Sequence, residues 1–457
     1  MTREFARHGG GEYEDVPLDD EKQSMRAWFG FAEPFDWRKR SYLGPFLSVV
    51  GILIVGGLFF LAIAAAFKLL GSAVFGSFPQ GAGSSFGLTG IIVVMIGAPF
   101  VVWRAFVAQK QVDVAEQGQI TDRLNKAVEG LGAEKTVNDE DGESTKPNLE
   151  VRIGAIYALE RIAQDSLRDH IQIMEILCAY IRENAPLLRD IPKNPIEIWE
   201  KETAEDRDKT SKPHPLEMRI WANRLPEPRT DIQVALEVIG RRAPRQIKVE
   251  RDAAVRGSTV GYRLDLRSTC LQGADLSEME FTHCLFNQAQ LQGTNLRGAE
   301  LQAAKFFGAK LQGASLVQAK LQGAKLFGAQ LQGANLQRAK LQGAQIFAAN
   351  LQGAKFLMAE LQGTHLLGAV LDSTTSFKTA TLRGAALKSL NLTEIAIGAE
   401  QLTDMFGDAT VILRDGHGPD HKNWPDHWSK EELNRDDFEP QWRAFQQSIG
   451  QDPDDPT

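Results

Sequence analysis

Between Leu264 and Leu371 a large apolar residue returns at every fifth position. The series begins with Leu266, Leu271, Leu276, Phe281, Phe286, Leu291 and Leu296, and it runs unbroken to Leu361, Leu366 and Leu371. Two positions before each sits a small residue, usually alanine (Ala274, Ala289, Ala299, Ala309, Ala319, Ala329, Ala339), with Cys284, Thr294 and Thr364 as methyl-sized substitutes. A helix repeats about every 3.6 residues and a flat strand about every 2, so neither produces this pattern. A short fixed period held over this length specifies a repeat architecture.

The tandem pentads, such as ADLSE, TNLRG, AKLQG and ANLQR, resemble those of the pentapeptide-repeat proteins. The resemblance implies a right-handed, quadrilateral parallel β-helix with four pentads per coil. It also implies that the central Leu or Phe and the preceding Ala point inward, while the other three positions point out. Coils stacked at the ordinary strand spacing of about 4.8 Å would make a rod roughly 26 Å long. Each buried Leu contributes about 2 kcal/mol, against about 1–2 kcal/mol of backbone entropy per ordered residue. A single coil therefore cannot stand alone, and the stack holds only collectively with its ends covered. After Leu371 the spacing slips by one, and Phe377, Leu382, Leu387, Leu392 and Ile397 continue on the new register. A bulge or small loop is expected near Asp372–Ser376, followed by a last, imperfect coil.

Columns twenty residues apart set the outer surface. Gln292, Gln312, Gln332 and Gln352 form one, and Gln302, Gln322, Gln342 and Gln362 another, on opposite faces. They read as structural amide ladders. Phe307, Phe327, Phe347 and Leu367 form an outward apolar column. This is either a docking or dimerisation stripe or a ladder that stacks on itself or under a terminal segment. The rod is also basic: Arg297, Lys305, Lys310, Lys320, Lys325, Arg338, Lys340 and Lys355 face Glu300 alone between Arg297 and Lys355. Such a rod suits anionic headgroups or an acidic protein.

The rest of the chain suggests a membrane anchor. Residues 1–43 are polar and acidic, then aromatic and basic through Trp28, Phe29, Phe31, Phe35, Trp37, Arg38, Lys39 and Arg40, as in an interfacial segment. No cleavable signal is expected, because an apolar core does not follow the start at once. Residues 45–67 carry no charge, and a second apolar run extends from Phe86 to Trp103. Each is long enough to span a bilayer, giving two transmembrane helices within 44–108. Basic residues before the first and after the second place both termini in the cytoplasm at the inner (cell) membrane, Lys68 dissenting. Neither span holds a charge at mid-depth, which counts against a transporter.

Residues 109–245 read as a small α-helical linker domain with disordered loops. Its helices are expected over 105–130, 149–164 and 168–184, with a short one at Asp231–Arg241. An acidic linker fills 132–148, and the Pro-rich stretch 186–230 reads as mostly loop. This helical region and the two preceding spans resemble those of bacterial pentapeptide-repeat proteins with two N-terminal transmembrane helices, a resemblance that implies architecture and no chemistry. The solenoid is assigned to 262–397, and a C-terminal cap and disordered tail to 398–457, with a short helix at Ala399–Phe406.

Three distant cysteines without a CxxC predict neither a disulfide framework nor a zinc site. His417, His421 and His427, among Asp415, Asp420 and Asp426, match no defined metal motif. A loop anchored by Trp424 and Trp428 is the preferred reading there. Nucleotide, nucleophile-elbow and metalloprotease motifs are missing, so no enzyme, cofactor or metal is expected. The expectation is a membrane-tethered, non-enzymatic interaction scaffold with an unknown protein partner, and homo-oligomers are conceivable. The alternatives are an oligomeric pore or membrane-perturbing effector and, less favoured, a DNA mimic that inhibits a topoisomerase. A basic rod would be repelled by the enzyme's own basic groove, and nucleic acid is not expected as a partner.

Overall fold

The computed structural model describes residues 84–139, 142–201, 212–253 and 261–455. The chain divides into two compact units, Met1–Glu116 and Gln117–Thr457, and the repeats lie in the second. Helix α1 spans Ser84–Leu131, and the expected second span forms its N-terminal part. The expected first span, 45–67, lies outside the described residues, as do most side chains of the second. Among the described residues no helix is long and apolar enough to cross a membrane.

The acidic stretch after α1 is not a bare linker. β1 (Glu134–Asp139) and β2 (Gly142–Pro147) pair antiparallel from Glu134↔Pro147 to Asp139↔Gly142. α2 (Leu149–Asp165) and α3 (His170–Asn184) form the expected helical pair. The side chain of Asn148 caps α2 by accepting from the Val151 N–H. The Pro-rich stretch departs from expectation, because it contains α4 (Pro195–Lys201) and α5 (Pro215–Ala222). Proline at the first helical position lacks only an N–H that would be unpaired anyway, so it starts a helix as readily as it breaks one. His214 and Glu217 close a capping box on α5: the His214 Nδ1 accepts from the Leu216 N–H and the Glu217 carboxylate from the His214 N–H, each at 3.2 Å. α6 (Thr230–Gly240) and α7 (Pro244–Asp252) complete the region.

The repeats form a four-sided solenoid. Parallel bridges join residues twenty apart, from Asp265↔Leu285 to Asn350↔Val370. The central residues and the alanines before them fill its interior: Leu296, Ala299, Leu301, Ala304, Phe306 and Ala309 are fully buried. Phe286 stacks on Phe306 at 5.1 Å inside the column. Each corner is a turn closed by a bond such as Ala324 N–H to the Leu321 carbonyl, 3.0 Å. The second residue after each central one is held there at positive φ, with glycine at Gly313, Gly323 and Gly333 but Gln318, Arg338 and Met358 at others. Non-glycine residues pay for this left-handed geometry, and glycine does not.

The slip after Leu371 is a one-residue insertion: the next bridges, Lys355↔Ser376 and Glu360↔Thr381, are 21 apart. Buried Asp372 builds the bulge. Its carboxylate accepts from the N–H groups of Gly353 and Thr374 and pairs with Lys212 at 2.9 Å. A last coil follows, with β3 (His365–Leu367), β4 (Ala386–Lys388) and β5 (Phe406–Gly407) in one parallel sheet.

Both ends of the stack are covered. At the first coil, the N–H groups of Cys270 and Glu280 donate to the carbonyls of Ala185 and Gly240, which end α3 and α6. The Asp275 N–H donates to the side chain of Gln233 on α6. The helical region therefore completes the ladder of an otherwise open edge and shares one apolar core with the rod. Its buried charges are paired: Arg229 holds Asp231 at 2.8 Å, and Glu250 meets His170 at 2.7 Å and Arg242. At the far end come α8 (Ala399–Thr403), a 3₁₀ turn (Arg414–Gly416) and α9 (Arg435–Ser448). Trp428 donates to the Met405 carbonyl at 2.8 Å, and Trp424 packs edge-on against it. That is the tryptophan-anchored loop. Near the C-terminal end Asp454 pairs with Arg443 at 2.8 Å.

Candidate interaction surfaces of the rod

The glutamine columns run along corners of the prism rather than across its faces, because they occupy the first turn position after each central residue. The four corners differ in what they carry. One holds Gln292, Gln312, Gln332 and Gln352, each followed by glycine. α5 lies along it. A Cβ added at Gly353 would come within 2.9 Å of Pro215, at Gly333 within 2.6 Å of Met218, and at Gly313 within 2.8 Å of Ala222. Successive coils are about 4.8 Å apart and successive helical turns about 5.4 Å. One helical turn therefore meets one coil, and only glycine leaves room for so close an approach.

Among the described residues no amide bond joins successive members of the expected columns; the one bond of that kind on this corner runs from Gln272, outside the expected column, to Gln292 at 3.2 Å. Elsewhere the amides turn sideways: Gln312 donates to Gln330 and Gln342 to Glu360. The Oε1 atoms of Gln312, Gln332 and Gln352 are buried without a partner, as are those of Gln322, Gln342 and Gln362 on the opposite corner. The columns owe their positions to the turn more than to amide stacking.

The apolar column occupies a third corner. Phe307 meets Phe327 edge-on at 5.1 Å, and Phe327 meets Phe347 at 4.5 Å. Such contacts contribute about 0.5–1.5 kcal/mol beyond area. The ladder then passes into the C-terminal cap, from Phe347 to His365 at 5.3 Å and from His365 to Trp442 of α9 at 4.2 Å. Leu367 packs under α9 with Phe438 and Trp442. Among the described residues no element covers these three rings, and Phe327 is 37% exposed. Burial drives the His365 ring down to about 4, Glu439 pulling the other way and Arg443 reinforcing the fall.

The basic residues do not share a face. Lys305 and Lys325 stand on one side, Lys310 on the next, and Lys320 and Lys340 on a third. Arg297 is at a corner turn and exposed. Lys320 pairs with Glu300, whose carboxyl is held below its ordinary value: burial would raise it, but Lys320, Gln302 and Lys340 outweigh that. Burial and the charges of Arg263 and Lys325 lower Lys305. The lysines are spread over separate sides instead of forming one patch, and the side of Lys320 and Lys340 also carries Glu280, Glu300 and Glu360.

The residues missed in the sequence are those of α5. The signal was present in His214-Pro215 with Glu217 and in the spacing of Pro215, Met218 and Ala222, which puts all three on one helical side. Among the described residues no group of three His, Cys, Asp or Glu is placed to hold a metal ion. The cysteines Cys178, Cys270 and Cys284 are free thiols, and burial pushes Cys178 up to about 11.

The family described as "Pentapeptide repeat region" matches residues 279–356, so this segment is a pentapeptide-repeat region. Among solved structures, the chain is similar to a pentapeptide repeat protein, Rfr23, from the cyanobacterium Cyanothece 51142, with 39% identity over 20% of this chain and 61% of that one, and a TM-score of 0.20. It therefore spans less than two thirds of that protein. It is similar also to HetL, a pentapeptide repeat protein involved in heterocyst differentiation regulation from Nostoc sp. strain PCC 7120, at 27% identity over 34% and 74% of the two chains, TM-score 0.22. QnrB1, a plasmid-mediated fluoroquinolone resistance protein, shows 16% identity over 42% and 86%, TM-score 0.19. No curated protein matches the chain.

Proposed function

We propose that this chain is a non-enzymatic interaction scaffold, tethered to the inner membrane by two N-terminal spans, with the rod and both termini in the cytoplasm. One observation carries the interaction part. The stacked column Phe307, Phe327 and Phe347 runs along a rigid corner, leaving Phe327 37% exposed while every inward Leu and Phe of the same coils is buried. Aligned apolar side chains on a stiff frame bind a partner with little ordering cost. The tether rests on the two uncharged stretches, 45–67 and Phe86–Trp103, and on the basic residues outside them.

Two experiments test the two halves. Detergent pull-downs with Phe327→Lys should lose a partner that the parent chain retains, while the circular dichroism of the rod stays unchanged. An unchanged set of partners removes the aromatic column from the reading. Recovery of the intact chain in the soluble fraction after alkaline extraction of membranes would remove the tether.

A further inference from the structure

A cleft of about 710 Å³ opens between α3 and the first coils of the rod, a volume in the range of small-molecule sites. α3 lines it with Glu175, Ala179 and Arg182, and the start of the rod with Arg263, Leu285 and Lys305. Tyr262 is a fixed wall: its N–H donates to the Glu250 carbonyl at 2.7 Å, and its hydroxyl meets the Cys178 thiol. Parallel bridges stack Asp265, Leu285 and Lys305 in one column, which puts Lys305 about 10 Å from Asp265. The charges of the cleft are not balanced. Asp265 is already neutralised: Arg267 holds its carboxylate at 2.8 Å and Arg182 at 3.3 Å. Among the described residues no carboxylate pairs with Arg263 or Lys305, and Glu175, the other acid of the cleft, is exposed. Burial lowers Lys305 and the charge of Arg263 lowers it further, so the two cations stand close enough to repel.

We propose that this cleft binds a small phosphorylated molecule, with Arg263 and Lys305 on the phosphate and Tyr262 and Leu285 against an apolar or aromatic body. The chemistry follows from the residues. A guanidinium presents a planar fork that matches two oxygens of a phosphate, and an ammonium adds a point charge beside it. A dianion relieves the repulsion between the two cations, whereas a neutral ligand leaves it and a cationic one adds to it. Arg182 engages Asp265 through Nη1 alone, donating to its carbonyl at 2.6 Å, which leaves Nε and Nη2 as further donors. A cleft of this volume encloses most of a small molecule, which favours a soluble ligand over a headgroup held at a bilayer. The site rests on neither the aromatic column nor the membrane tether.

The probe is phenyl phosphate, titrated calorimetrically into the full chain in non-ionic detergent, with inorganic phosphate and phenol as references. A single phenyl phosphate is expected per chain, bound more tightly than inorganic phosphate, and phenol should give no saturable heat. Arg263→Gln should raise Kd at least about tenfold and Lys305→Gln at least about threefold, as charge-assisted hydrogen bonds are lost. Glu175→Gln should lower Kd at least about twofold, because it removes a like charge from an exposed position at the cleft. Lys340→Gln, on another side of the rod, should leave Kd unchanged. The proposal is overturned if neither phosphate binds saturably, if phenol binds as well as phenyl phosphate, or if Arg263→Gln and Lys340→Gln lose affinity equally. It is overturned also if Glu175→Gln binds no better than the parent chain. Binding seen only to nanodiscs that contain phosphatidic acid would overturn it too, since the surface read is then that of a membrane.

Discussion

The aromatic corner and the covered glutamine corner are built on the same coils, with the same inward alanines and leucines, and they end differently. At the glutamine corner every turn from Gly273 to Gly353 has glycine at the left-handed position. The result is a smooth groove, and the side chains before it lie flat enough for α5 to press on the glycines. At the aromatic corner that position holds Ser268, Gln288 and Ala348 among the glycines, and the preceding rings stand on one another. One corner gains its burial from a helix brought by the same chain, the other from its own neighbours along the column. A repeat thus specifies its interior at the inward positions and its dealings with other elements at the two turn positions. Those two levels can be broken separately.

The largest effect should come from the interior that both corners share. Ala324 is fully buried, and Ala324→Lys places an unpaired charge among leucines. The expected cost is roughly 4 kcal/mol or more, read as loss of the cooperative melt of the rod. A variant that melts like the parent would mean that the inward assignment is wrong. The next effect should separate the corners. Gly333→Ala and Gly328→Ala both introduce a side chain at positive φ, for about 1–2 kcal/mol. Only the first also drives a Cβ to 2.6 Å from Met218. Gly333→Ala should therefore cost about 1–2 kcal/mol more, with α5 losing protection from hydrogen exchange. Equal costs would show that α5 is not held by the glycine groove.

Much of this division was legible in the sequence. The period of five named the inward residues from Leu266 to Leu371, and the slip after Leu371 placed the bulge that Asp372 now organises. The outward order of Phe307, Phe327 and Phe347 followed from the same spacing. What was not legible depends on residues far apart in the chain. The 3.6-residue pattern shows that α3 and α6 are amphipathic, yet nothing in it shows that their terminal carbonyls accept from Cys270 and Glu280. α5 is eight residues long between prolines, too short for periodicity to stand out against the loop signals around it. The lysines were counted along the chain as one basic surface, whereas the twenty-residue bridges distribute them over separate sides.

A smaller effect, confined to the far end, concerns where the aromatic column meets α9. The His365 ring is held at about 4 by burial, whereas the unfolded chain titrates near the ordinary value of about 6.5. Its folded pKa is depressed, so the unfolded state binds the proton first as pH falls below about 6.5. Stability is fully present above that value and declines through the window down to about 4. Between pH 7 and 5, residues 435–448 should lose exchange protection, corrected for intrinsic rates, more than residues 311–321 do. His365→Asn should abolish the difference. A pH-independent cap would show that the ring is solvated and that its contact with Trp442 does not close the column.

The smallest effect on stability, and the sharpest test of the comparison, is Phe327→Lys. The ring is 37% exposed and lies between Phe307 and Phe347, so its loss removes two ring contacts while leaving the core and the ladder bonds of Leu326 untouched. The expected change is about 1 kcal/mol, far below that of the neighbouring inward Ala324→Lys. Arg267 already places a long cationic side chain at the equivalent turn position of the same corner, so the turn accepts one. If the rod melts as the parent does but the detergent-solubilised chain loses an associated protein, the corner is a binding surface. If Phe327→Lys instead costs several kcal/mol and unravels the coils on either side, the rings act as a structural ladder, and the aromatic corner then does for itself what α5 does for the glutamine corner.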